Sequence, residues 1–146
     1  MECLGGNGYV EDGILARHYR EAPVNAIWEG SGNVMCLDVL RALSREADAA
    51  VTVLQALAED TRGLPGASEA AIFIGKVFHR ADCERVARLA VEKLALLAAT
   101  AALNQVSSRQ AELFAATRLA TNHASMYGAV DLELKDVRAL LDRALP

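Results

Sequence analysis

Glu29 stands in the run Trp28-Glu29-Gly30-Ser31-Gly32-Asn33. A carboxylate beside such a turn can take a proton from a bound molecule when its surroundings are dry. Glycines on either side of Ser31 let the backbone approach a ligand closely. A helix opening directly after the turn would favour an anion. A solvent-facing Glu at a helix start, favourable to the helix dipole, is the more common arrangement for a lone carboxylate. The same duality holds for Gly5-Gly6-Asn7-Gly8: glycine runs cradle phosphates, but plain turns outnumber such cradles. Trp28, the single tryptophan, is by itself a core or interface aromatic. Arg20 serves a structural ion pair as readily as a ligand.

Other chemistry is less well served. His18, His79 and His123 have no metal-ligand spacing with one another or with Cys3, Cys36 and Cys83. The three cysteines are isolated and odd in number, which argues against a disulfide scaffold and suits a reducing compartment or plain burial. Lys76, Arg80, Arg85 and Arg88 form a basic stretch that partly shares a helix face. Asp82 and Glu84 interrupt it, and from Arg45 onward twelve basic residues face thirteen acidic ones. A solvated helix face is therefore the better reading than a nucleic-acid surface.

These groups must be positioned by helices. The chain has 146 residues, 53% hydrophobic and 23% charged, with a net charge of -4, which is enough apolar material for one buried core and excludes disorder. No stretch alternates as a strand would, and no apolar run approaches a membrane span, so an all-α cytoplasmic protein is expected. Six of the ten glycines lie in the first 32 residues, marking 1–32 as loop-rich and 33–146 as a helical bundle. A short helix is expected over Ile14 to Ala22, stopped before Pro23. A long helix capped by Ser31 or Asn33 should reach Glu59, its stripe formed by Val34, Leu37, Leu40, Leu43, Ala47, Val51, Leu54 and Leu57. Gly63-Leu64-Pro65-Gly66 is a stop. Ser68 should cap a second long run with Ile72, Val77, Val86, Leu89, Leu94 and Leu97 inward, and Gly75 marks a close crossing or a break. The Ala-rich stretch Leu94 to Leu103 reads as a closely packed helix, and Asn104 to Ser108 as a connection. A third helix should run from Ser107 or Ser108 to His123. After a break at Tyr127-Gly128, Asp131 should cap a last helix with Leu134, Val137, Leu140, Leu141 and Leu145 inward.

Two segments carry a family resemblance: Glu2-Cys3-Leu4-Gly5-Gly6-Asn7-Gly8-Tyr9, and Tyr19-Arg20-Glu21-Ala22-Pro23-Val24-Asn25-Ala26-Ile27-Trp28-Glu29-Gly30-Ser31-Gly32-Asn33. In order and spacing they resemble the C-terminal signature of acyl-CoA dehydrogenases. Together with Val34-Met35-Cys36-Leu37-Asp38-Val39-Leu40-Arg41 they are similar to its AidB-like branch, which is linked to the adaptive response to DNA alkylation and carries extra C-terminal helices. The resemblance is strong over 1–43 and weaker beyond. It implies the C-terminal helical bundle of that fold, with FAD as cofactor and acyl-CoA as substrate in the full-length family. Glu29 matches the position of the base that takes the α-proton while the flavin takes the β-hydride. Ser31 matches a hydroxyl near the flavin phosphates, and Asn33 stands where many members have a cofactor-contacting Gln. Trp28 replaces the commoner Tyr as a wall of the pocket, with Gly30 in the same turn. Gly5 and Gly6 match a loop that contacts a neighbouring subunit's flavin; Glu2 departs from the Gln common there.

The resemblance also implies that the domains preceding this segment in the family lie outside the chain, Met1 matching an internal methionine. A base without its hydride acceptor has no turnover, so this chain alone is expected to be catalytically silent. The family's common tetrameric assembly, and apolar faces left uncovered, imply a homo-oligomer. DNA is a second partner implied by the AidB-like branch.

Overall fold

A computed structural model describes residues 2–120 and 132–144. Among these residues there are helices and no strands, as the composition implies. Helix α1 spans Ile14–Glu21, α2 Gly32–Arg45, α3 Ala47–Asp60, α4 Ala67–Phe78, α5 Ala87–Val106, α6 Ser108–Phe114 and α7 Leu134–Ala144. Short 3-10 turns occupy Glu2–Gly8, Ala22–Ala26 and Cys83–Val86, and a π turn at Ala115–Leu119 extends α6. None of the helices over the described residues is long and apolar enough to cross a membrane.

The central element is α5, which packs against α2, α3, α4 and α6. Its mid-section buries Leu97, Thr100 and Ala101, so the Ala-rich stretch is a packed helix as expected. Ile74 of α4 and Leu97 are fully buried with Ala67, Ala70, Ala115 and Leu119, and Leu54, Leu57 and Phe78 close over this cluster. The small residues let helix backbones approach. Thr61 and Thr100 enter the core by donating their hydroxyls to the carbonyls of Leu57 (2.7 Å) and Leu96 (2.8 Å). Asn104, expected in a connection, lies within α5 and donates its amide to the carbonyl of Asp60 at 2.8 Å, satisfying the end of α3.

Two expected long helices are each broken in two. The run from Ser31 to Glu59 bends at Glu46 (φ -125°, ψ 55°). No Gly or Pro marks the bend. A straight rod of that length would be roughly 42 Å long and could not keep one stripe on a short core; bent, both α2 and α3 reach α5. The run from Ser68 breaks after Phe78, where Arg80 donates from Nε and Nη2 to the two carboxylate oxygens of Asp82, each at 2.8 Å. Residues two apart do not face each other on a helix, so a continuous helix could not make this pair. The break is not at Gly75, whose Cα faces Leu54 of α3; a Cβ there would meet Leu54 Cδ2 at 3.7 Å, an ordinary contact.

Helix starts and faces also differ in places. Gly66, at φ 73°, precedes α4 where Ser68 was expected to cap it; Ser68 lies inside the first turn. Ser107 does cap α6, its hydroxyl accepting from the Gln110 amide at 3.5 Å. Ile72 and Leu89, expected inward, are exposed, as are Val34, Leu37, Ala47, Val51, Leu134, Leu140 and Leu141. On α7 the buried residue is instead Asp136, which Arg109 of α6 grips. The stop at Tyr127-Gly128, the cap at Asp131, His123 and Leu145 lie outside the described residues.

Candidate functional site

The chain enters the Glu29 turn through a series of tight bends. Pro23 opens the 3-10 turn after α1, where its missing N–H costs nothing. Ile27 and Trp28 both donate backbone N–H groups to the carbonyl of Val24 at 3.0 Å, and Gly30 donates to Ile27 at 3.1 Å. Gly30 then takes φ 120°, which a side chain rarely adopts, and a Cβ on it would lie 3.3 Å from the Met35 sulfur. Ser31 is extended at the N-cap of α2, and its carbonyl accepts from the Met35 amide at 3.0 Å. Its hydroxyl makes no capping bond, so the first amides of α2 have no side-chain cap.

Trp28, Glu29, Ser31, Gly32 and Asn33 are therefore held together at one helix N-terminus, all of them exposed; Trp28 is 67% accessible. Gly5 and Gly6 stand in a separate turn, Glu2–Gly8, which packs extensively on no other described element. Gly5 takes φ 53°, and a Cβ on either glycine would meet nothing. Arg20 forms a two-point ion pair with Glu11, which lowers the Glu11 pKa through hydrogen bonding.

The four residues of the basic stretch have different surroundings. Arg80 and Arg85 both converge on Asp82, Arg85 at 3.5 Å. Arg88 turns back to the candidate turn, donating from Nη1 to Asn33 Oδ1 at 3.0 Å. Lys76 remains exposed on α4. The Arg88–Asn33 contact spans 55 residues, and nothing in the local sequence announces it. Sequence reasoning also missed a largely apolar cleft of about 480 Å³ between α2, α3 and α4. Ile72 lines it with Leu40, Leu43, Val51, Leu54 and Phe78, which is how an apolar residue of α4 comes to be exposed. Among the described residues no cluster of His, Cys, Asp or Glu could hold a metal ion.

Comparison with known proteins places residues 1–44 in the family described as acyl-CoA dehydrogenase, C-terminal domain. The chain is 68% identical to AidB of Escherichia coli (strain K12) over 47 residues, 32% of this chain and 9% of AidB. It is 54% identical to acyl-CoA dehydrogenase family member 11 of Caenorhabditis elegans over 44 residues, 30% of this chain and 7% of that protein. The chain thus matches less than a tenth of the length of these relatives. No solved structure matches it. The family depends on FAD, and the donors at the start of α2 suit one side of such a cofactor: a hydroxyl, a side-chain amide and free backbone N–H groups for phosphate, with an indole for a planar ring. Residues 1–44 are a segment of the acyl-CoA dehydrogenase C-terminal domain, similar to that of AidB, and they open an all-helical chain.

Proposed function

We propose that the Trp28–Asn33 turn is the cofactor- and acyl-facing edge of an acyl-CoA dehydrogenase-type protein, with Glu29 in the position of the α-proton base. The observation that carries this reading is the 68% identity to AidB over 47 residues, joined to a turn that presents Glu29, Ser31 and Asn33 outward at one helix start. Flavin, when bound, supplies the hydride acceptor. Glu29 would take the α-proton of an acyl thioester on its carboxylate. Ser31, Asn33 and the first amides of α2 would hold phosphate, and Trp28 would exclude water from one side. Gly5 and Gly6 would meet a flavin from a second subunit.

The described residues form one wall of such a site. Glu29 and Trp28 are open to solvent, and a base works on a weakly acidic carbon only where water is excluded. The chain alone therefore lacks turnover, and a covering partner is required. Exposed Leu4, Tyr9, Ile14, Tyr19, Ile27 and Trp28 favour association, and a second copy of the chain is the partner we infer.

The test is the visible spectrum of the purified chain after addition of FAD and desalting, with sedimentation across a dilution series. Retained flavin absorbance in an oligomer supports the reading. Absence of retained flavin by an associated chain removes cofactor binding from this chain. A monomer at all concentrations counts against self-association. Acceptor reduction with an acyl-CoA would overturn the expected silence.

A further inference from the structure

We propose that Arg88, outside the family-matched segment, is a positioning residue for the Glu29–Asn33 turn. Among the described residues, its bond to Asn33 is the one side-chain hydrogen bond joining residues 2–44 to the rest of the chain. The guanidinium also covers Gly32: a Cβ there would lie 3.6 Å from both Nη1 and Nη2. The turn needs such a hold, because Ser31 makes no capping bond and Trp28, Glu29 and Val34 are exposed around it. Arg88 is free to supply it. Arg80 and Arg85 are engaged by Asp82, whereas no carboxylate among the described residues pairs with Arg88.

The planar fork explains the residue type. One N–H bonds the Asn33 oxygen while the guanidinium carbon and both Nη atoms lie beside Gly32, within 3.7 Å of where a Cβ would stand. Arg88 sits in the first turn of α5, the helix with Leu97 at the core. The bond therefore ties the start of α2 to the start of the central helix α5. Arg88 acts through Asn33 and Gly32, not on substrate. The inference rests on the proposed function only for what the turn faces; the positioning itself is independent of it.

Hydrogen exchange of the full chain tests this, read at the Met35 amide, which bonds Ser31, and in the core around Ile74 and Leu97, with fluorescence anisotropy at Trp28. Arg88→Ala should speed exchange at Met35 by about tenfold, as for loss of a charge-assisted hydrogen bond, and lower the Trp28 anisotropy, with core amides unchanged. Arg88→Lys, which keeps one donor, should recover part of the effect. Asn33→Ala lies on the surface and should reproduce the effect without threatening the fold; the double variant should be no worse than either single one. Unchanged Met35 exchange, equal acceleration of the core amides, or additive single effects would overturn the proposal. FAD retention is measured in parallel. An unaltered chain that retains none defeats the flavin reading while the exchange result still decides the role of Arg88.

Discussion

Gly66 lies so close to Ala120 that a Cβ on it would fall 2.6 Å from the Ala120 Cα and 2.7 Å from its nitrogen. The turn between α3 and α4 thus presses directly on the end of the π turn that closes α6. Gly66 also holds φ 73°. Gly63, three residues earlier, holds φ 80° but would meet nothing within 4 Å. The two glycines separate conformational strain from backbone collision. Gly63→Ala should cost about 1 kcal/mol, the left-handed penalty alone. Gly66→Ala should cost about 3 kcal/mol or more, because backbone on both sides must move. Urea unfolding of both variants checks the difference, and equal losses would show that the 63–66 turn yields freely.

Leu97 is fully buried in α5 within the cluster that joins α4, α5 and the π turn. Its replacement by Ala should destabilise the bundle by about 3 kcal/mol through lost burial and an unfilled cavity. At this chain length that is a fall of roughly 6 to 12 °C in melting midpoint. Leu89→Ala, in the same helix but exposed, should shift the midpoint by less than about 2 °C. Thermal denaturation followed by far-ultraviolet circular dichroism distinguishes them.

The contrast between those two leucines shows what the sequence made legible. Helix content, the turn at 63–66, the cap at Ser107 and the packed Ala-rich stretch follow from local composition, and the structure has them. The bends at Glu46 and after Phe78 do not, since each serves contacts between distant helices and carries no Gly or Pro. Ile72 and Leu89 were expected inward from helical spacing alone; Ile72 instead lines the cleft between α2, α3 and α4, and Leu89 lies exposed on α5. The candidate turn was legible from its glycines and the order of its residues. The hold of Arg88 on Asn33 was not, because a contact over 55 positions leaves no periodic trace.

Asp136 of α7 accepts two bonds from Nη2 of Arg109, at 2.5 and 2.7 Å, and one from Nε at 3.1 Å. Asp136 is only 6% exposed, while Arg109 is half open to solvent and also donates to Glu112 at 3.0 Å. Arg143 adds a bond to Gln110 at 2.8 Å. With Leu134, Leu140 and Leu141 exposed, these polar contacts join α7 to α6. Asp136→Ala should release α7, seen as cleavage within 132–144 about tenfold faster under limited proteolysis, with the core around Leu97 intact. Arg109→Lys should do nearly the same, because an ammonium cannot reproduce the fork. Unchanged cleavage would show that the Asp136–Arg109 pair is not what holds α7.

Asp82 carries the last prediction, since it decides whether the basic stretch can act as one. Hydrogen bonding to the Arg80 guanidinium holds its carboxyl below the ordinary 3.8. A lowered folded-state pKa means that the pair stabilises the turn above 3.8 and that this contribution is lost as pH falls through the still lower folded value. At neutral pH Asp82 is therefore ionised and accepts from Arg80. The Asp82 carboxyl resonance should titrate below 3.8, and Arg80→Gln should return it toward that value. Arg80 and Arg85 share the one carboxylate of Asp82, while Arg88, bonded to the neutral Asn33 amide, keeps its charge, so we expect at most weak phosphate binding by this stretch. Reversing the charge of Arg80 and Arg88 should thus leave DNA retention unchanged. Asp82→Asn, which frees Arg80 and Arg85 together, should produce weak retention at low salt, with a logarithmic salt slope of about -1 to -2 for one or two phosphate contacts. Steep salt-dependent binding by the unaltered chain, lost on reversing Arg80 and Arg88, would instead make this stretch a nucleic-acid surface.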